Sequence, residues 1–111
     1  MPRERLISDL DRSVPGFAEF IGSDANPFVA DTPAGIFAAC SHFVRSRTLD
    51  PGGWQRLAHL LNDAVAGPDD EVAEAACTCF LENLATTDHP LKSFLIGEAL
   101  RVWEQWESAG P

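Results

Sequence analysis

Apolar positions recur every three or four residues along most of the chain, as on the buried face of an amphipathic helix. No segment alternates strictly between apolar and polar residues up to a hairpin turn, which is the pattern of a half-buried strand. Proline, glycine and short polar clusters separate the periodic segments. The pattern therefore predicts an all-α fold.

Sequence signals mark where the predicted helices begin and end. The first segment, "RERLISDLDRSV", ends at Pro15–Gly16. Thr32–Pro33 and Asp50–Pro51 each combine an N-cap residue with a proline at the first helical position. A Gly-Pro pair at residues 67–68 ends the helix that begins after Asp50. The positions predicted to face the core are Leu6, Ile7, Leu10, Val14, Ile36, Phe37, Cys40, Phe43, Val44, Trp54, Leu57, Ala58, Leu61, Ala64 and Val65.

The second half of the chain predicts a central helix and a C-terminal helix. The stretch "DEVAEAACTCFLENLA", residues 70–85, carries apolar side chains on almost every side, so we expect it to be buried on most faces. In "LKSFLIGEALRVWEQWES" we expect a bend at Ile96–Gly97 and a regular helix after it, because glycine costs about 1 kcal/mol relative to alanine inside a helix. The residues predicted to share one face of this last helix are Leu95, Ala99, Val102, Trp103 and Trp106.

Together these segments predict one α-helical domain over residues 1–111, large enough to bury a core. We expect a compact bundle of about five helices. The two long helices joined by "AGPDD" predict a central antiparallel hairpin in the style of HEAT repeats. No unit of that length recurs in the sequence, which argues against a repeat array.

Negative charge is concentrated in the second half of the chain. Residues 1–56 hold six arginines and seven acidic residues, a net charge of −1, whereas residues 57–111 hold two basic and ten acidic residues, a net charge of −8. Such a chain is unsuited to direct nucleic-acid binding, which needs clustered lysine and arginine. The charge either serves solubility alone or favours a basic protein partner, whose encounter a complementary field accelerates.

The residues predicted to contact such a partner lie mainly in and around the central helix. They are Asp69, Asp70, Glu71 and Glu74 at its start, Glu82 and Asp88 towards its other end, and Trp106 on the last helix. Glu82 admits two interpretations: it lies on a narrow exposed stripe, or it is partly buried and pairs with an arginine or a helix N-terminus. Of Trp103 and Trp106, one is predicted to lie in the core and the other at the surface, since tryptophan is enriched at interface hot spots.

Residues capable of catalysis or metal binding form no recognisable site in the sequence. Cys77 and Cys79 lie two apart on a predicted helix, about 200° around its axis, and therefore do not converge on one ion. We predict buried cysteines that serve packing. Asp88 and His89 come shortly before Ser93, but no nucleophile elbow or oxyanion loop accompanies them, so they predict a turn. The sequence predicts no catalytic residue, no metal site and no cofactor.

The chain shows no sign of membrane targeting. No apolar run reaches the roughly 18–20 residues that span a bilayer, and no apolar segment follows the charged start "MPRERLISDLDRS". Three cysteines without a disulfide spacing suit a reducing compartment. We therefore expect a cytoplasmic protein with no membrane partner.

Three segments follow one another in a suggestive order: "AGIFAACSHFV", then "LLNDAVAGPDDEVAEAACTCFLENLAT", then "FLIGEALRVWEQWE". A helix ending in F-L-E-x-L and a C-terminal helix with tryptophan are the motifs that stand out, with "LIGEA" in the turn between them. In this order the chain resembles the small α-helical, HEAT-like immunity proteins of interbacterial toxin systems. The likeness covers residues 33–107.

The resemblance implies a non-catalytic protein that binds one cognate toxin domain, blocks it and so protects the producing cell. Such toxins are commonly nucleases, deaminases or other nucleotide-acting enzymes, and the acidic half of this chain suits a basic one. We expect the free protein to be a monomer or a weak dimer. The alternative is a structural or adaptor helical domain that binds proteins within a larger assembly.

Overall fold

The computed structural model describes residues 2–45, 47–85 and 89–109. Within these ranges every regular element is a helix, which confirms the predicted all-α fold. None of the helices described there combines the length and the apolar character needed to cross a bilayer. The elements are α1 (Arg3–Ser13), α2 (Phe17–Ile21), α3 (Pro33–Arg45), α4 (Pro51–Ala66), α5 (Asp70–Ala75), a π-helical turn (Ala76–Leu81), α6 (Glu82–Ala85), a 3₁₀ helix (Pro90–Phe94) and α7 (Gly97–Ala109).

Side-chain caps fix where α3 and α4 begin. Thr32 Oγ1 accepts a hydrogen bond from the Gly35 N–H at 3.3 Å. Asp50 Oδ1 accepts one from the Gly53 N–H at 2.7 Å. Each bond satisfies an amide that has no partner inside its helix. Both predicted N-caps are therefore confirmed.

One hydrophobic core draws side chains from every helix. The inward-facing positions predicted on α1 and α3 are all buried. On α4 the prediction is correct as far as Leu61, but Ala64 and Val65 are only half-buried. Ala64 borders an open groove. The bulkiest fully buried side chains are Trp103, Phe17, Phe37 and Phe80.

α5, the π turn and α6 follow one another without a break and form one composite helix over residues 70–85. Hydrogen bonds in a π turn span five residues instead of four, so the turn acts as one extra residue inserted into an α-helix. Val72, Ala76, Phe80 and Leu84 are all buried, although four-residue steps along a regular helix rotate steadily away from one face. The π turn offsets that rotation, and it accounts for the apolar residues that the sequence places on so many sides.

Hydrogen bonds to α3 hold the composite helix at its π turn. Asn83 Nδ2 donates to the Cys79 carbonyl at 2.8 Å and to Ser41 Oγ at 3.2 Å. Arg45 Nη2 donates to the Asn83 carbonyl at 2.9 Å. Because Ser41 and Arg45 both belong to α3, the turn is fixed by its neighbour as well as by its own backbone.

The three cysteines are free thiols, and their burial differs from the prediction. Cys40 is fully buried, but Cys77 and Cys79 are only half-buried, so the prediction that this pair is buried is wrong. Because of the extra residue in the π turn, Phe80 and Leu81 face the core instead of Cys77 and Cys79. Burial raises the pKa of the Cys40 thiol, and burial together with the negative charge of Glu98 raises the pKa of Cys77.

The last helix begins at Gly97, as expected from the predicted bend at Ile96–Gly97. Gly97 has a φ of +57°, a conformation that side-chain-bearing residues rarely adopt. Asn62 of α4 holds the residues before it: Oδ1 accepts from the Ile96 N–H at 3.1 Å, and Nδ2 donates to the Phe94 carbonyl at 3.5 Å. On the predicted inner face, Leu95, Ala99 and Trp103 are buried, and Val102 and Trp106 are half-buried.

Candidate functional site

Four carboxylates, those of Asp70, Glu71, Glu74 and Glu82, form an acidic stripe along the composite helix. The first three are exposed and Glu82 is half-buried. Thr78 is exposed between Glu74 and Glu82, and its hydroxyl donates to the Glu74 carbonyl at 2.9 Å. At a rise of about 1.5 Å per residue, the stripe extends for roughly 18 Å. The structure thus places four of the predicted contact residues on one continuous element.

The ion pairs of the described residues involve other carboxylates. They join Asp9 to Arg5 and Arg12, Glu107 to Lys92 and Glu98 to Arg101, while the His59 ring lies 3.4 Å from Asp63. In residues 2–45, 47–85 and 89–109, no cation lies within 4.0 Å of a carboxylate of the acidic stripe. The stripe therefore carries uncompensated negative charge, whose reach is limited by salt to about 8 Å under physiological conditions.

Glu82 combines parts of the two interpretations that its sequence context allows. It is partly shielded from solvent, as the second interpretation requires. It nevertheless has no cationic partner within the described ranges, and it lies on the same helix as the exposed carboxylates. A partner's lysine or arginine that reached Glu82 would meet a carboxylate already partly removed from water.

Asp69, Trp106 and Asp88 differ from the acidic stripe in position. Asp69 is half-buried and caps α5, since its Oδ1 accepts from the Val72 N–H at 3.2 Å. Trp106 is half-buried and packs against the core from α7, while Trp103 is the fully buried member of the predicted pair. Asp88 lies outside the described residues. The structure therefore gives Asp69 a structural role and does not place Trp106 on the composite helix.

The His89 side chain has a local structural role. His89 lies between Trp54 and Trp103, with ring centroids 4.7 Å and 6.4 Å away, and its Nδ1 accepts from the Leu91 N–H at 3.2 Å. Burial lowers the pKa of His89. Over the part of the chain that is described, no group of three or more His, Cys, Asp or Glu side chains is arranged to hold a metal ion. His89 thus serves to begin the 3₁₀ helix.

A groove of about 760 Å³ lies between α1, α4 and the start of α5. Its apolar lining comes from Leu6, Leu60, Ala64 and Val72, and charged side chains from α1 and α4 surround this lining. Sequence reasoning missed the groove. The spacing of Arg5, Asp9 and Arg12 on one face of α1 is visible in the sequence, but the helix that this face borders is not.

Comparison of the chain with protein-family models, curated proteins and solved structures gave no match.

Proposed function

We propose that this chain is a non-catalytic immunity protein, which binds a basic surface of one cognate bacterial toxin domain and covers it. The observation that carries the proposal is the acidic stripe, whose carboxylates have no cation partner among the described residues. Carboxylates without internal partners are available to lysine and arginine of another protein, and their field accelerates encounter. The resemblance of residues 33–107 to helical immunity proteins supplies the class of partner.

The two ends of the acidic stripe have different roles in this proposal. Asp70, Glu71 and Glu74 are exposed, so they act mainly on the rate of association through the long-range field. Glu82 is half-buried, so a salt bridge made there loses more water and acts mainly on dissociation. The helix that carries them is fixed by α3 through Asn83, which reduces the ordering cost of binding.

A second candidate function is the adaptor domain. It is favoured by two exposed apolar side chains in the loop between α2 and α3: Phe28 is 39% exposed and Val29 is 76% exposed. Phe28 also meets His42 edge to face at 5.8 Å. Adjacent exposed apolar side chains are a common mark of protein interaction sites. An adaptor would bind through this loop, whereas an immunity protein of the proposed kind binds through the acidic stripe.

The proposal expects the adjacent gene to encode the toxin domain, and binding kinetics against that domain at two salt concentrations test it. The Asp70→Lys, Glu74→Lys double variant should slow association about tenfold in low salt and flatten its salt dependence. The matched control is Glu19→Lys, Asp24→Lys, which makes the same change in net charge at two exposed positions. Its association rate should stay within about twofold of the wild type.

Two results would overturn the proposal. One is a wild-type protein that neither binds nor neutralises the neighbouring toxin. The other is equal slowing by both double variants, because net charge rather than the acidic stripe would then set the rate. Loss of binding in Val29→Asp, with the stripe variant unaffected, would favour the adaptor.

A further inference from the structure

The groove beside the acidic stripe follows the length of α4. Its lining residues on that helix extend from Gly52 to Gly67, a distance of roughly 22 Å at 1.5 Å per residue. The opposite wall is the face of α1 that carries Arg5, Asp9 and Arg12. Small-molecule sites enclose most of their ligand in a compact pocket. This groove is elongated, and the arginines on its α1 wall are more than 70% exposed, so its shape suits a chain segment.

The charged side chains that line the groove also differ between the two ends of α4. Arg56 lies near the start of the helix, and no carboxylate in the described ranges is within 4.0 Å of it. Asp63 lies near the end of the helix, 3.4 Å from the His59 ring. The groove therefore presents a guanidinium near the start of α4 and a carboxylate near its end.

The end of the groove beside α5 is continuous with the acidic stripe. Asp69 and Val72 line the groove, while Asp70 and Glu71, between them in sequence, are the first residues of the stripe. A partner that contacts the stripe is thus brought directly beside the groove. Leu60 and Ala64 line the groove and are only half-buried, so they give such a partner a place to bury apolar side chains.

We infer that the groove binds an amphipathic helical segment of the toxin domain that the acidic stripe attracts. This inference rests on the proposed function and adds how the partner is held. The segment presents apolar side chains at helical spacing to the groove, as in other helix-in-groove complexes. It carries an acidic side chain opposite Arg56 and a basic side chain opposite Asp63. The stripe then governs association, and burial in the groove governs dissociation.

Ala64 and Ala66 provide a matched pair of variants for the test. Ala64 is half-buried and lines the groove, whereas Ala66 is exposed two residues further along α4 and does not line it. Ala64→Trp fills the groove and should weaken binding of the neighbouring toxin domain about tenfold or more, through faster dissociation. Ala66→Trp adds the same side chain to the same helix and should change the affinity by less than about twofold.

Two further measurements keep the inference testable if Ala64→Trp disturbs the fold, which circular dichroism would reveal. Arg56→Glu changes an exposed side chain and should speed dissociation about fivefold or more. Synthetic peptides that tile the toxin domain should include one amphipathic segment that binds the wild type. That peptide should shift the amide NMR signals of Leu6, Ala64 and Val72.

The outcomes separate this inference from the proposed function. If the stripe variant Asp70→Lys, Glu74→Lys slows association while Ala64→Trp and Arg56→Glu dissociate like the wild type, the groove is not the site and the proposed function stands. A tiled peptide that binds elsewhere would also overturn the inference. If the wild type does not bind the toxin domain, both proposals fail together.

Discussion

The groove and the acidic stripe lie side by side, but their carboxylates differ in whether they have partners within the protein. In the groove, Asp9 is paired with Arg12 at 2.8 Å, and the His59 ring lies 3.4 Å from Asp63. On the stripe, no carboxylate has a cation partner within the described ranges. In the proposed complex the groove therefore holds the partner by shape and close contact, whereas the field of the stripe acts over several ångströms. Under this proposal the stripe governs association of the partner and the adjacent groove governs its dissociation.

The largest expected effect is a loss of fold stability, which would disrupt the groove and the acidic stripe together. Phe80 is fully buried on the π turn and meets Phe37 edge to face at 6.3 Å. Phe80→Ala leaves a cavity under the composite helix and should lower the free energy of unfolding by about 3–5 kcal/mol. Urea denaturation followed by circular dichroism measures this. A loss below about 1 kcal/mol would show that the composite helix does not depend on this contact.

A smaller loss should affect the acidic stripe more than the groove. Asn83→Ala removes the side-chain bonds to the Cys79 carbonyl and to Ser41 Oγ, so the free energy of unfolding should fall by about 1–3 kcal/mol. Amide hydrogen exchange should accelerate in residues 76–85 and remain unchanged in α1. Equal acceleration in both regions would mean that the π turn is not a separate local unit.

The residue where the two surfaces meet should have a structural effect of its own. Asp69→Ala removes the N-cap of α5 and should lower the free energy of unfolding by about 1 kcal/mol. Asp70→Ala, its neighbour on the exposed stripe, is the control and should change stability by less than about 0.5 kcal/mol. The order of the two effects, measured by thermal unfolding, distinguishes a structural carboxylate from a binding carboxylate.

The smallest expected effect depends on pH. Because burial lowers the pKa of His89, the unfolded chain binds a proton that the folded protein does not once the pH falls below about 6.5. The stabilising difference is complete above that pH and is lost as the pH falls towards the lower pKa of the folded state. His89→Asn keeps an acceptor for the Leu91 N–H. This variant should reduce the pH dependence of the thermal unfolding midpoint between about pH 7 and pH 5.

Glu98 and Glu107 do not account for a loss in that window. The pKa values of Glu98 and Glu107 are lowered by hydrogen bonds from Arg101 and Lys92, respectively. Their contributions to stability are therefore lost only as the pH falls below about 4.3. An unchanged profile in His89→Asn would assign the dependence to another group.

Local signals were enough to predict most of the helices. Thr32 and Asp50 act on amides three residues away, so the sequence around them contains the whole interaction. The buried faces of α1 and α3 follow from their spacing alone. The exposed residues of the acidic stripe were also predictable, because charged side chains in the first turn of a helix are seldom buried.

Features that depend on contacts between helices were not predictable. The π turn is fixed through hydrogen bonds between Asn83 and two residues of α3, Ser41 and Arg45. These residues precede Asn83 by 42 and 38 positions, so no local sequence pattern predicts the turn. For the same reason Cys77 and Cys79 were wrongly predicted to be buried. The groove requires knowledge that α1 borders α4. Asp69 looks equivalent to its acidic neighbours in the sequence, but its carboxylate caps α5.

The π turn has a consequence for how this chain tolerates changes in length. A turn that contains one residue more than an α-helix requires can lose a residue without moving its flanks. Deletion of Thr78, an exposed residue inside Ala76–Leu81, is therefore expected to leave a continuous α-helix whose two ends keep their places. Deletion within the regular helix α4 would instead rotate every later side chain by about 100°. A chain one residue shorter at this point can therefore have the same fold, with no shift in any other helix.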